Sequence, residues 1–498
     1  MIDNKPVYLG LRLCEHDSNI SLSIGDKVKY FKSERYKQLK HHGYNNSWGW
    51  RSVLKRWNID LDSIDAVSIV IDNYEDNQAW AGKKSHLINF GDLKCPVYRL
   101  DHHWAHRLSM WPLRIKSTTD FVFDGYGDDF ITHTIFKDDE IVQQMQRHES
   151  FSIGQALANI GVQFGLTGME MDYAGKLMGL KSYGNVDLNF EKSLDKYGIE
   201  DIIKFSQFSS WLDYKQSDRD AVETQVDWLR MIHEKYESIF QEYFLKYANP
   251  KETITYSGGI AQNTVINTKI KEVIPDIHIP PHSPDDGLSL GCIEFLRQLN
   301  GDSEFDNTGF PYWQSDEAPE SIPSKQTIKD TAEKLAQGKI IGWYQGHGEI
   351  GPRALGNRSI LMNPTVENGK DIINKKVKYR ESFRPFGASI LHEYTNEYFE
   401  WSDPSPYMLF IQEIKNKTDF KPITHVDNTC RLQTVENENP IYRELLEEFQ
   451  KITGLPMLLN TSLNVAGKPI AGWKTDAYDV FYGSEIDGMV IGNDIMYK

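Results

Sequence analysis

Apolar residues recur in short alternating runs at Val7–Leu13, Ile20–Ile24, Ala66–Ile71, Asp120–Phe123 and Thr253–Tyr256. Runs of this length, rich in β-branched and aromatic side chains, predict strands, with helical segments between them. The pattern breaks after Asn300, where GDSEFDNTGFPYWQSDEAPESIPSKQ gathers Pro, Gly and acidic residues and predicts a linker reaching Gln326. A second α/β block follows. It reads as a helix around Thr327–Gln337, a strand at Lys339–Tyr344, a helix near Asn368–Lys378, and strands at Phe386–Leu391 and Pro456–Leu459. The expected division is a larger N-terminal α/β domain, residues 1–315, and a smaller C-terminal one, residues 325–498. No internal repeat and no low-complexity stretch interrupts it.

Composition adds bounds to this picture. A chain of 498 residues with 40% apolar and 25% charged residues has ample core for two domains and is not dominated by disorder. A net charge of −16 argues against a broad nucleic-acid surface. Cys14, Cys95, Cys292 and Cys430 are scattered without a CxxC, as expected of free thiols in a reducing compartment. The N-terminus lacks a charged-then-apolar leader, and no apolar run nears the roughly 20 residues that span a bilayer. A cytoplasmic protein with no membrane partner is expected. Nothing in the sequence reports on oligomeric state, and a homo-oligomer stays open.

Against that acidic background one run stands out: Gly342-Trp-Tyr-Gln-Gly-His-Gly-Glu-Ile-Gly-Pro-Arg-Ala-Leu-Gly-Asn-Arg-Ser-Ile-Leu361. A short strand feeds a glycine-rich loop that delivers Arg353 and Arg358. Glycine lets backbone approach a ligand, and guanidinium forks match phosphate or carboxylate oxygens. Residues 351–385 then carry eight basic residues against three acids. Such an island suits a small polyanion, a nucleotide or an acyl phosphate.

The N-terminal half holds further constellations. In Asp101-His-His-Trp-Ala-His106, the helical spacing of His102 and His106 puts both imidazoles on one face, and Asp101 can cap the helix. Such a pair either binds a metal or is an ordinary exposed pair. Asp124, at a strand end, and Asp285 and Asp286, in a turn before Gly287, shift the balance toward a metal. Two His and two Asp suit iron first, with magnesium or manganese behind. Asp124-Gly-Tyr-Gly and Ser257-Gly-Gly-Ile-Ala-Gln-Asn263 each follow an apolar strand, as paired elements do in actin-like ATP-binding folds. No GxxxxGK(S/T) P-loop occurs. Lys176 either contacts a phosphate or lies on the surface. His16, in Glu-His-Asp-Ser, and Lys40-His41 follow strands where a histidine can act as a base. The aromatic loop from Tyr44 to Trp50 either stacks on an acceptor ring or packs inward.

Together these motifs resemble the O-carbamoyltransferase family of the NodU/CmcH type. The resemblance rests on GPRALGNRSIL, on Val377-Lys378 with Arg380-Glu381 and Phe383-Arg384-Pro385-Phe386, and on Thr424-His425-Val426-Asp427 with Arg431. It extends through Leu458-Leu459-Asn460-Thr461-Ser462 and, in the first half, EHDS, Lys40-His41, HHxxH, DGYG, GKLMGL and SGGIAQN. It implies an actin-like (ASKHA-type) N-terminal domain and a YrdC-like C-terminal α/β domain. The implied reaction forms carbamoyl-adenylate from carbamoyl phosphate and ATP, then transfers the carbamoyl group to a hydroxyl of a small-molecule acceptor. Arg353, Lys378, Arg384 and Arg431 would neutralise charge during activation, and Asn460 and Ser462 would supply hydrogen bonds. His102, His106, Asp124 and Asp285 would hold the metal. Lys40, His41, Gly125, Gly127, Lys176, Gly258, Gly259 and Asn263 would surround the nucleotide, and His16 would position or deprotonate the acceptor.

Two departures are visible. His347 and Gly348 replace an Arg and a Met of the family loop, which is expected to loosen contact with one phosphate. Asp128 replaces a Glu and is expected to shorten a contact either behind the metal-type ligands or on the acceptor side. Competing readings are carbamoylation of a hydroxymethylated nucleotide or DNA base, threonylcarbamoyl transfer to tRNA, and a catalytically silent nucleotide-binding regulator.

Overall fold

The computed structural model describes residues 5–44, 48–71, 83–146, 152–197, 210–217 and 222–498. Its first sheet contains β1 (Val7–Leu13), β2 (Asn19–Ile24), β3 (Lys27–Lys32), β4 (Ala66–Ile71), β5 (Ser85–Ile88) and β6 (Val97–Leu100), in the order β3-β2-β1-β4-β6-β5. β1, β2 and β3 form an antiparallel meander, and β4 then pairs parallel to β1. The second sheet repeats this plan. β7 (Thr119–Phe123), β8 (Ile131–Lys137) and β9 (Glu140–Gln146) form the meander, and β10 (Ile254–Ser257) pairs parallel to β7 with β11 (Ile277–His278) outside it. Two copies of one meander-plus-parallel-strand unit define the actin-like fold expected for this half.

Close helix packing sets the geometry between the two sheets. Helix α1 (His102–Leu108) lies against α2 (Leu288–Asn300), which covers β1. The helices touch at Gly291, where a Cβ would fall 2.0 Å from the Ala105 carbonyl oxygen, so any larger residue would push α1 away. β1 is buried along its whole length because sheet-mates flank it and α2 and the N-terminal core cover its faces.

The C-terminal lobe is an eight-stranded mixed sheet. Its members are β12 (Ile341–Tyr344), β13 (Arg358–Met362), β14 (Gly387–Leu391), β15 (Phe410–Glu413), β16 (Thr429–Val435), β17 (Met457–Ser462), β18 (Gly488–Ile491) and β19 (Asp494–Tyr497). They are ordered β15-β16-β14-β17-β13-β12-β18-β19. The helices Lys325–Ala336 and Pro440–Thr453 pack against each other beside it, over a core that includes Trp343, Ile360, Leu432, Tyr442 and Leu458. The expected helix near Asn368–Lys378 exists but changes pitch: α-helical turns at Gly369–Ile373 give way to a π turn at Asn374–Lys378. Such wide turns often mark functional sites, and this one ends on Lys378.

The segment read as a linker is no free tether. Its backbone pairs with Tyr30 through Gln314, and Phe305 is buried. Trp111 packs against Phe305 and Trp313 at ring-centroid distances of 5.2 and 5.5 Å. The aromatic residues hidden among its prolines and acids anchor it as a strap. The aromatic loop also resolves inward, since Tyr44 and Trp50 are buried in the core over β1; Asn45 to Ser47 lie outside the described residues.

Candidate functional site

A cavity of about 1700 Å³ runs between the two lobes and takes its walls from both. At its C-terminal end the loop after β12, the π turn and β16 bring Arg353, Lys378, Arg380, Arg384 and Arg431 together. Among the described residues, Arg353, Lys378 and Arg431 of this set have no carboxylate within ion-pair distance. Arg353 donates one hydrogen bond, to the Gln262 carbonyl at 3.3 Å, and its Nε has no partner. The Arg431 Nε is likewise buried and unpartnered. Burial, then Arg431 and Arg384, push the Arg353 guanidinium well below its usual range. Burial and Arg384 bring Arg431 down to about 10. Burial, then Arg380 and Arg384, hold the Lys378 ammonium well below its usual range. A cluster that repels itself this way is built for an anion.

Neutral acceptors hold the cluster in place. Lys378 Nζ donates to the Ser462 carbonyl and the Asn464 Oδ1, each at 2.5 Å, and reaches Ser462 Oγ at 3.2 Å. Asn460 Nδ2 lies 3.2 Å from the Ala354 carbonyl and 3.0 Å from Ser389 Oγ, which ties β17 to the arginine loop. Arg384 is half-buried, 3.7 Å from Glu381. Lys176 pairs with Glu381 at 2.6 Å and so bridges the lobes along the cavity wall.

At the other end, four side chains converge. His102 Nε2 is 3.1 Å from His106 Nε2 and 2.9 Å from Asp124 Oδ2. Asp285 Oδ1 stands 3.4 and 3.5 Å from the two imidazoles. All four donor atoms lie within 4.8 Å of one another. Asp101 caps α1 by accepting from the Trp104 N–H at 2.9 Å, which fixes the histidine-bearing turn. Each carboxylate is held by its other oxygen: Gly259 N–H donates to Asp124 Oδ1 at 2.9 Å, and Arg12 donates to Asp285 Oδ2 at 2.7 Å. Burial and Asp285 push the Asp124 carboxyl up, but hydrogen bonds from His102 and His106 outweigh them and keep it ionised. Two nitrogens and two carboxylate oxygens aimed at one point fit a divalent cation. The cavity wall at this end includes Asp124 and Asp285, with the buried histidines behind them.

Between the ends, Gly259 and Asn263 line the cavity, whereas Gly258 does not. Gly258 has φ 93°, and a Cβ there would meet the Phe123 carbonyl oxygen at 2.1 Å, so its role is to let two strand ends close on each other. Asn263 caps the helix Thr264–Val273 by accepting from Val265 and Ile266 N–H. Gly125 and Gly127 face the cavity. Lys40 pairs with Asp172 at 2.9 Å. His16 and His41 both approach Asp17 Oδ2, at 3.3 and 2.8 Å. Burial lowers His41, but Asp17 and Asp172 overcome it and raise it to about 10. His16 rises for the same kind of reason, with Asp17 outweighing burial.

Arg358 does not belong to this set. It is fully buried in β13, pairs with Asp316 at 2.9 Å, donates to the Gln345 and Gly346 carbonyls at 2.6 and 3.0 Å, and lies over the Tyr344 ring. His347 and Gly348 turn away from the cavity: Gly348 N–H donates to Asp316 at 3.1 Å, so the exchange touches the strap rather than a phosphate. Asp128 accepts from His102 N–H at 3.0 Å and from Arg99 at 2.8 Å, so its shorter side chain anchors the metal-type helix. Arg12, Asp17, Lys32, Glu34 and Arg380 also line the cavity and were missed as site residues. Asp17 and Arg380 lay inside the motifs; the others carried no local signal.

The actin-like lobe, the cation-lined sheet and the shared cavity define a two-lobed protein that sets an anion-binding cluster beside a group of metal-ligand type. The carbamoyltransferase N-terminus family matches residues 83–293 and the carbamoyltransferase C-terminus family residues 332–498. The chain belongs to the carbamoyltransferase family and is a carbamoyltransferase. Among its relatives, nodulation protein NolO of Bradyrhizobium diazoefficiens is 30% identical over 80% of this chain and 79% of its own. The 3'-hydroxymethylcephem-O-carbamoyltransferase of Streptomyces clavuligerus is 30% identical over 65% of this chain and 64% of its own. Among solved structures, T. kodakarensis HypF shows a loose likeness, 14% identical with a TM-score of 0.41 over 60% of this chain and 48% of that one.

Proposed function

We propose that the chain is an ATP-dependent O-carbamoyltransferase, with activation in the C-terminal lobe and transfer in the N-terminal lobe to a hydroxyl of a small molecule. The observation that carries this reading is one cavity joining a self-repelling cation cluster to a nest of two histidines and two carboxylates. In the first step carbamoyl phosphate, ATP and one water give carbamoyl-adenylate, inorganic phosphate and pyrophosphate. The carbamate oxygen bonds to the α-phosphorus as the bond to pyrophosphate breaks. Arg353, Lys378, Arg384 and Arg431 surround oxygens whose charge grows on that path, and fixed cations of this kind are worth a few kcal/mol each.

In the second step the acceptor oxygen bonds to the carbamoyl carbon, AMP leaves, and the hydroxyl proton passes to His16. Asp17 holds the His16 imidazole and raises its basicity. A divalent ion held by His102, His106, Asp124 and Asp285 would offset the charge of the nucleotide phosphate, and this donor set suits iron or manganese better than magnesium. Gly259 and Asn263 would seat the nucleotide. Walls shared by both lobes shield the mixed anhydride from water along the route.

The transfer end also speaks on the acceptor. Glu15, Asp129 and Glu170 line the cavity with Tyr126 and Phe130. Acids at that mouth repel a phosphodiester chain and favour a neutral or amine-bearing hydroxyl compound over DNA. Incubation with ATP and isotopically labelled carbamoyl phosphate, followed by a panel of neutral and amine-bearing alcohols, tests the reading by mass spectrometry. Pyrophosphate, AMP and a carbamoylated product are expected. A metal-loaded chain that releases neither pyrophosphate nor AMP would instead be a nucleotide-binding regulator.

A further inference from the structure

Behind the nucleotide turn lies a buried polar chain that ends on Asn263 and whose other members have no part in the steps above. Lys181, in the turn Lys181–Tyr183, bonds to Glu237; Glu237 Oε1 is 2.7 Å from His233 Nδ1; His233 Nε2 is 3.1 Å from Asn263 Nδ2. His233 and Glu237 sit one helical turn apart on the long helix Gln225–Tyr247, and all four residues are buried.

The hydrogen-bond roles can be assigned from one end to the other. Asn263 Oδ1 accepts from the Val265 and Ile266 N–H groups, so the amide nitrogen must face His233. That nitrogen only donates, which makes His233 Nε2 an acceptor and leaves its single proton on Nδ1. Nδ1–H then donates to Glu237, and Lys181 supplies the balancing positive charge. Burial outweighs the pull of Glu237, lowers His233 and keeps it neutral as this pattern requires.

Asn263 is also where the turn Gly259–Gln262 ends. The Gly259 N–H at its start holds Asp124, and the Gln262 carbonyl near its end accepts from Arg353 of the other lobe. The turn fixed at Asn263 therefore sets the backbone that meets Asp124, and it touches the activation end only through that one bond from Arg353.

We propose that His233, with Glu237 and Lys181 behind it, is a positioning residue that locks the Asn263 amide and thereby the nucleotide-facing turn of the actin-like lobe. The inference rests on the functional reading above, because it assumes that this turn seats a nucleotide. Nothing in the chain touches the reacting atoms; it acts through Asn263.

The test compares His233→Leu with His233→Gln in the full-length, metal-loaded chain. Gln can present an oxygen where Nε2 stood; Leu cannot, and it leaves a buried donor unpaired. ADP affinity is measured by calorimetry in a Lys378→Ala background, so that the N-terminal seat dominates the reading. Carbamoyl-phosphate-dependent pyrophosphate release is measured separately with Lys378 intact. Leu should weaken ADP binding about tenfold or more, the loss expected when a buried hydrogen-bond partner is removed. Gln should stay within about threefold of wild type. Pyrophosphate release should be unchanged in both.

Three results overturn the inference: wild-type ADP affinity in the Leu variant, equal loss in Leu and Gln, or loss of pyrophosphate release alongside ADP binding. The last would mark a general folding role. A wild-type chain that releases pyrophosphate but binds no ADP in the Lys378→Ala background also overturns it, while the activation half of the functional reading stands. A wild-type chain without pyrophosphate release removes that reading and the inference resting on it.

Discussion

Arg353 and Arg358 lie five positions apart, in the loop after β12 and at the start of β13, yet their surroundings demand opposite phenotypes. Replacing Arg358 by Ala strands the buried Asp316 carboxylate, leaves the Gln345 and Gly346 carbonyls without this donor, and removes the cation over Tyr344. Breaking a buried ion pair by deleting one partner costs about 3–5 kcal/mol. Arg353 gives up a single hydrogen bond, to Gln262, and its removal relieves repulsion from Arg431 and Arg384. Arg353→Ala should therefore change stability by no more than about 1 kcal/mol. Its loss should appear in activity instead, as a fall of about 10²–10³ in turnover of carbamoyl phosphate and ATP. Urea denaturation with a two-domain fit, beside a pyrophosphate assay at saturating substrate, separates the two effects. An Arg358→Ala protein as stable as wild type but inactive would refute the assignment, and so would an Arg353→Ala protein that unfolds as easily as Arg358→Ala.

Further outcomes follow from the same geometry. His106→Ala and Asp285→Asn should lose bound metal by elemental analysis while keeping pyrophosphate release in the distant C-terminal site; a parallel loss of both contradicts the division of labour. Carbamoyl phosphate should draw protons as it binds at alkaline pH, because a docked dianion opposes the burial and neighbouring cations that lower the Lys378 pKa. Calorimetry in buffers of different ionisation heat detects this uptake, and buffer-independent heats would count against it. His41 gains its raised pKa on folding, so its contribution to stability is complete below its unfolded value near 6.5 and fades as pH climbs toward about 10. The stability gap between wild type and His41→Asn, followed by denaturation from pH 6 to pH 10, should shrink across that window; a constant or widening gap would contradict the pairing.

Local patterns made some of this legible in the sequence. The spacing of His102 and His106 declared a shared helix face, and Asp101 ahead of them declared the cap that the structure contains. The strand-then-glycine runs before Asp124 and at Gly258 announced turns at two strand ends, and β1, β2, β4, β7 and β10 fall at the expected apolar stretches, whereas β3, β8 and β9, which complete the meanders, do not. What stayed hidden depends on partners far along the chain. Arg353 and Arg358 look alike in a string; Asp316, 42 residues from Arg358 in a strap that reads as a tether, tells them apart. Lys32 finds Asp286 only because β3 and the turn before α2 meet in space. Tyr44 and Trp50 offered an acceptor platform by composition, and only burial shows them to be core. His233 gave no signal because its relevance begins at Asn263, on a different helix.

In the proposed function the C-terminal cations load a carbamoyl group onto AMP. Pyrophosphate release from ATP, with and without carbamoyl phosphate, tests it most directly in wild type and in an Arg353→Ala, Lys378→Ala double variant. Release should depend on carbamoyl phosphate in wild type and fall by at least about 10³ in the double variant. Release at the wild-type rate from a folded double variant would contradict it.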